Sequence, residues 1–143
     1  MYTVVSSSAA ETVGIAIALY NGARFVEAQL DSLRLQTCPA DQVVLCDDGS
    51  KDNTWAIVQE AASRFPQVRG IRFSRNFGKE AGIFAGMKQA SGDYIALIDA
   101  DLQQRPEIVR DMVQILEDKP NIDVVAAYQD RRGEGKVLSF FKK

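Results

Sequence analysis

Short apolar runs alternate with amphipathic stretches along most of this chain, and that alternation confines it to one fold class. Val13–Leu19 (VGIAIAL), Gln42–Asp47, Val68–Phe73, Tyr94–Ile98 and Asp123–Ala127 have the length and composition of buried strands. Arg24–Leu35 places Phe25, Ala28, Leu30 and Leu33 near one helical face. Asp52, Asn53 and Thr54 offer N-caps for a helix over Trp55–Arg64, which Pro66 follows. Glu80–Ala90 predicts a third helix, with Gly92 as its stop. Pro106 suits the first turn of a fourth, running to about Glu117 and burying Ile108, Val109, Met112, Val113 and Leu116. Strands alternating with helices predict an α/β fold: a mostly parallel sheet with helices on both faces. Residues 1–12, with three consecutive serines and no periodicity, read as a flexible lead, and residues 13–143 as one domain.

Composition then narrows the chemistry. The chain has no histidine among its 143 residues, which rules out a Ser-His-Asp or Cys-His nucleophile and a His-ligated zinc site. Seventeen basic against 19 acidic side chains leave a net charge of −2, without the basic excess of a nucleic-acid binder. Cys38 and Cys46 are the two cysteines, and Cys46 sits inside the apolar run Val43-Val44-Leu45 as a buried thiol would. A disulfide between them is open, though nothing asks for one. The first ten residues lack the charge and apolar length of a signal peptide, and no run approaches a membrane span. The expectation is a cytoplasmic location.

In a parallel α/β sheet, ligands bind at the carboxyl ends of the strands. Polar clusters fall at three of those ends: Tyr20-Asn21, Asp47-Asp48-Gly49-Ser50 and Asp99-Ala100-Asp101. Two carboxylates spaced by one residue after an apolar strand can face one hard cation, Mg2+ or Mn2+, with Gln103 adding a neutral oxygen. The blander alternative is that Asp101 and Gln103 only begin the turn toward Pro106. At the second cluster a carboxylate can accept hydrogen bonds from a nucleobase or ribose, while Asp52 to Thr54 are explained by turn and cap. Arg75-Asn76-Phe77-Gly78-Lys79 precedes a helix, so Arg75 and Lys79 can meet phosphate oxygens near its N-terminus. Gly82 and Gly86, one turn apart, suit close packing on the sheet. This stretch fits neither a dinucleotide fingerprint nor a P-loop.

Taken in order, Ala18-Leu19-Tyr20-Asn21, Asp47-Asp48-Gly49-Ser50 with Asp52 and Thr54, Asn76-Phe77-Gly78, Ala90-Ser91-Gly92-Asp93-Tyr94-Ile95 and Asp99-Ala100-Asp101 resemble a family 2 glycosyltransferase of GT-A type. The resemblance covers nearly everything from Val13 onward. It implies a Rossmann-like nucleotide-diphospho-sugar transferase fold, incomplete on the acceptor side, that moves a sugar from a UDP- or GDP-sugar with inversion and with Mg2+ or Mn2+. Asp99-Ala100-Asp101-Leu102-Gln103-Gln104-Arg105-Pro106-Glu107 and Ser74-Arg75-Asn76-Phe77-Gly78-Lys79 are similar to the polyprenyl-phosphate branch, which includes dolichyl-phosphate mannose synthases and bactoprenol glucosyltransferases. Tyr20-Asn21-Gly22 and Glu27 to Leu33 look more like soluble rhamnosyltransferases. Ala18 stands where the family usually has proline, and Gly22 replaces the acidic residue of the polyprenyl-phosphate branch.

The implied donor site comprises Ala18, Tyr20, Asp47, Asp48, Lys79, Asp99, Ala100 and Asp101, with Tyr20, Asp47 and Asp48 on the nucleoside. Asp99 and Asp101 are the implied catalytic carboxylates, and Asp99, Asp101 and Gln103 the metal ligands. Arg131 and Arg132 would meet an acceptor phosphate, or else belong to a solvated basic loop. One physical argument favours that acceptor. A sugar hydroxyl needs a general base, whereas a phosphate monoester is already largely ionised at neutral pH. The expected activity is transfer to polyprenyl phosphate at the cytoplasmic membrane face, where the basic-aromatic end Phe140-Phe141-Lys142-Lys143 can lie in an interface. The alternatives are a soluble transferase to a saccharide, a non-catalytic nucleotide-sugar-binding fragment and, least favoured, a dinucleotide-binding oxidoreductase.

Overall fold

The structure, a computed structural model, describes residues 2–6, 12–102, 105–129 and 135–137. In chain order its elements are β1 (Tyr2–Ser6), β2 (Val13–Leu19), α1 (Ala23–Arg34), β3 (Gln42–Asp47), α2 (Thr54–Arg64), β4 (Val68–Arg72), α3 (Lys79–Gln89), β5 (Tyr94–Leu97), α4 (Ile108–Asp118), β6 (Val124–Gln129) and β7 (Gly135–Val137). The described strands form one sheet in the order β4-β3-β2-β5-β1-β6-β7. Pairing is parallel from β4 through β3 and β2 to β5, as the alternation predicts. The chain reverses side after β4, returning past β2 to β5, so the carboxyl ends of β2 and β5 meet at a topological switch point.

Two strands depart from the sequence reading. Residues 2–6 of the expected flexible lead are β1, which runs antiparallel between β5 and β6, with Thr3 opposite both Leu97 and Ala126. A five-residue strand with no local partner leaves no periodic signature, because its stability comes from two distant neighbours. Gly135–Val137 adds β7 antiparallel to β6, beyond the last expected strand.

Strand alternation divides the core between two faces. Ile15, Ile17 and Leu19 of β2 join Leu45, Val26, Leu33, Val58, Met112 and Leu116 in the main apolar cluster, under α1, α2 and α4. Ala16, Ala18 and Cys46 point the other way, toward α3. There the two helical glycines act as expected. A Cβ on Gly86 would stand 2.9 Å from the Ala16 Cβ and 3.4 Å from the Cys46 Sγ, and one on Gly82 would stand 3.1 Å from the Ala18 Cβ. Small residues on both sides let α3 lie directly against the sheet, offsetting the poor helix propensity of glycine. Gly86→Leu is therefore expected to cost about 1–3 kcal/mol through overpacking, read as a Tm lower by roughly 3–10 °C in thermal unfolding.

Several smaller expectations change. The buried stripe of α1 is Val26, Gln29 and Leu33; Ala28 is exposed and Phe25 borders a cleft. Gln29 is buried, and among the described residues neither of its side-chain polar atoms finds a hydrogen-bond partner. Asn53 occupies the N-cap position of α2 without a side-chain cap. Gly92 is not the stop of α3, which ends at Gln89 with Ala90 already extended; at φ 141° it instead brings the backbone so close to β2 that a Cβ would lie 2.9 Å from the Gly14 nitrogen. Beside it, Thr12 donates from its hydroxyl to the Asp93 carboxylate at 2.7 Å and from its backbone N–H at 3.1 Å, holding that carboxyl below the usual range. Both cysteines are free; Cys38 is exposed, and burial pushes the Cys46 thiol up to about 11.

Candidate active site

A cleft of about 340 Å³ opens at the carboxyl ends of β2 and β5, where the switch point predicts a ligand. Ala18 to Gly22 form one wall and Asp99, Ala100 and Asp101 another, with Phe25, Asp48, Asn76 and Lys79 completing it. Of the donor-site residues inferred from sequence, Ala18, Tyr20, Asp48, Lys79, Asp99, Ala100 and Asp101 are brought together here. Asn21, Phe25 and Asn76 also line the cleft and carried no such assignment. Phe25 reads as core in a helical pattern, and Asn76 lies in a loop whose direction only the fold decides. Tyr20, half exposed, stands at the rim, where its ring can cover a flat ligand.

Asp47 is not on the cleft wall. Adjacent residues at a strand end point to opposite sides, and here the two acids divide accordingly. Asp47, 1% exposed, accepts from the Ser50 N–H at 3.1 Å, and its other oxygen lies 3.4 Å from the Arg72 guanidinium. Asp48, 2% exposed, accepts from the Phe77 N–H at 2.6 Å and the Gly78 N–H at 2.9 Å. One carboxylate thus ties the loop ahead of α3 to the end of β3. Gly49 makes that approach feasible: at φ 70°, a Cβ there would come within 2.5 Å of the Arg75 carbonyl carbon.

The rest of the cluster after β3 is a latch onto the loop after β2. The Asn21 N–H donates to the Ser50 hydroxyl at 2.8 Å, the Gly22 N–H to the Thr54 hydroxyl at 2.9 Å, and the Ala23 N–H to Asp52 at 3.1 Å. In return the Lys51 N–H donates to the Asn21 side chain at 2.9 Å. Burial would raise the Asp52 pKa, but donors from Thr54 and Ala23 outweigh it and hold the carboxyl low. These bonds satisfy N–H groups at the start of α1 and keep Tyr20 and Asn21 in place. Among the described residues, the two non-glycine positive φ values, Asn21 at 48° and Leu102 at 62°, fall on the segments flanking the cleft. Backbone held in this way concentrates at functional sites.

Across the cleft, the Lys79 ammonium sits 2.6 Å from Asp99 Oδ1. Arg75, the other expected phosphate contact, instead stacks its guanidinium over Phe77 at 4.6 Å and is not on the wall. Gln103, Arg131 and Arg132 lie outside the described residues, as does the Phe140-to-Lys143 end. Among the described residues no three His, Cys, Asp or Glu side chains converge as a ready metal cage. The donor set nevertheless suits a hard divalent cation. Asp99 and Asp101 offer anionic oxygens on one wall, and a cation, the Lys79 ammonium, already contacts one of them.

Residues 14–140 match the Glycosyl transferase family 2 domain. The chain belongs to that family. It is 41% identical over 76% of its length to the uncharacterized glycosyltransferase YkcC of Bacillus subtilis, covering 32% of that protein. It is 38% identical over 67% of its length to the bactoprenol glucosyl transferase of Shigella phage SfV, covering 31%. The chain therefore spans about a third of the length of these curated relatives. Among solved structures, the mannosyltransferase PcManGT of Pyrobaculum calidifontis, in complex with GDP-Man and Mn2+, superposes with a TM-score of 0.71 at 24% identity, over 90% of this chain and 38% of that one. The fold is the GT-A fold. No helix among the described residues is long and apolar enough to cross a membrane.

Proposed function

We propose that the chain carries the donor side of a transferase that moves a sugar, with inversion, from a UDP- or GDP-sugar to polyprenyl phosphate. The observation that carries this reading is the cleft itself, lined by Tyr20 at the rim, by Asp48, Asn76 and Asp101, and by Asp99 paired with Lys79. An aromatic rim with a buried carboxylate near it suits a nucleoside, and a wall that mixes ammonium and carboxylate suits a diphosphate held with a cation. Asp99 and Asp101, with Gln103, would hold Mg2+ or Mn2+, which when bound supplies Lewis-acid stabilisation of the departing diphosphate. Lys79 would add a donor to that diphosphate.

In an inverting transfer, an acceptor oxygen forms its bond to the anomeric carbon as the bond to the nucleoside diphosphate breaks from the opposite side. A phosphate monoester brings that oxygen already ionised, so no histidine or other general base is required. Arg131 and Arg132 would position it as charge-assisted donors. The relative named as a bactoprenol glucosyl transferase supports the lipid-phosphate acceptor. Contact with a membrane surface and a cytoplasmic site of action follow from that acceptor.

Calorimetric titration with UDP- and GDP-sugars, with and without MnCl2, tests the donor reading. Binding in the micromolar to millimolar range is expected, and only with metal. Silence with both nucleotides would overturn it. A parallel assay offering short-chain polyprenyl phosphate beside saccharides identifies the acceptor: transfer to the saccharide replaces the lipid reading, and binding without any transfer leaves a nucleotide-sugar-binding unit.

A further inference from the structure

Among the described residues, four charged side chains line the cleft: Asp48, Asp99, Asp101 and Lys79. Asp48 is engaged by two backbone N–H groups. Lys79, the first residue of α3, reaches across to Asp99, just beyond the end of β5. Its side chain is 58% exposed, whereas that of Asp99 is 28% exposed, so the lysine, on its long flexible stem, is the partner with room to move into solvent or toward a ligand.

We propose that Lys79 is a built-in counter-ion for Asp99, holding that carboxylate until a nucleoside diphosphate draws the ammonium away and leaves Asp99 to a divalent cation. The inference rests on the donor-site reading above and adds an order of events to it. An ammonium and a divalent cation on one carboxylate repel each other, so metal arriving alone meets, at Asp99, a carboxylate whose charge is already paired. A nucleoside diphosphate removes that obstacle, because its phosphate oxygens give the ammonium a second anion within reach. A half-exposed ion pair is weak enough to exchange in this way. Since coupling between two ligands is reciprocal, metal also tightens nucleotide binding through the same lysine.

The experiment measures Mn2+ binding directly, from loss of the free hexaaqua signal in electron paramagnetic resonance. It compares the wild-type chain, Lys79→Met and Lys79→Arg, each alone and with UDP or GDP, after correction for Mn2+ bound by free nucleotide. Thermal melts confirm that each variant is folded. The wild type is expected to bind Mn2+ weakly alone and more tightly with nucleotide. Lys79→Met should bind Mn2+ alone about fivefold more tightly, the gain from removing a half-exposed ion pair, and lose about the same factor from the nucleotide-induced enhancement. Lys79→Arg, which keeps the charge, should behave as wild type. A lysine that is only a nearby charge would leave the nucleotide-induced enhancement unchanged when removed. Unchanged or weaker Mn2+ binding by Lys79→Met, beside a normal nucleotide effect in the wild type, overturns the counter-ion role alone. Failure of the wild type to bind Mn2+ with either nucleotide overturns the donor-site reading as well.

Discussion

Asp101→Ala is expected to abolish metal-dependent binding of the nucleotide-sugar and to lower any transfer by about 100-fold or more. A hard cation bound through a pair of carboxylates contributes several kcal/mol to stabilising a leaving diphosphate, and each 1.4 kcal/mol is about a factor of ten. Asp101 stands on the exposed wall of the cleft and outside the apolar cluster, so its loss leaves the core untouched. Calorimetry with MnCl2 and a UDP- or GDP-sugar, paired with a thermal melt, separates the two effects: binding should vanish while Tm holds. Asp118→Ala, at the exposed end of α4, is the control and should change neither. Wild-type affinity in Asp101→Ala would remove that carboxylate from the donor site.

Asp48→Ala is expected to act through the fold first and the site second. Its carboxylate accepts two backbone N–H groups in a setting 2% exposed to solvent. Removing it forfeits two charge-assisted hydrogen bonds and strands both donors, at a cost of about 3–5 kcal/mol. That is a large share of the 5–15 kcal/mol or so that holds a domain together. Asp48→Asn keeps one acceptor but turns an N–H toward another N–H, so about half the loss is expected. Urea denaturation should show the midpoint falling in the order wild type, Asn, Ala. Because the loop ahead of α3 carries Asn76 and Lys79 to the cleft, nucleotide affinity should fall in the same order in the variants that remain folded. Equal stability of all three would mean that the loop is held by something other than this carboxylate.

The site was legible to the extent that it follows from strand ends. Asp99-Ala100-Asp101, Asp48 and Tyr20 each follow an apolar run that sequence alone identifies, and in a parallel sheet those ends must share one edge. The division between Asp47 and Asp48 was not legible, because two adjacent acids look alike until the strand register turns one inward beneath Arg72 and the other toward Phe77 and Gly78. Asp52 to Thr54 read as turn and cap residues from their local order. Asp52 does accept from the Thr54 N–H, but the Ser50, Asp52 and Thr54 side chains also bond to N–H groups at the start of α1, partners that local order does not contain.

Periodicity and composition by themselves determined the alternation of strands and helices, the four helices and the exclusion of histidine chemistry. Each of these depends on interactions between near neighbours in the chain or on which side chains exist at all. Tertiary structure alone decided that residues 2–6 enter the sheet between β5 and β6, that Gln29 is buried on α1, and that Lys79 closes onto Asp99. Those outcomes join segments far apart in sequence, and their energies exist only once the sheet has brought the segments together.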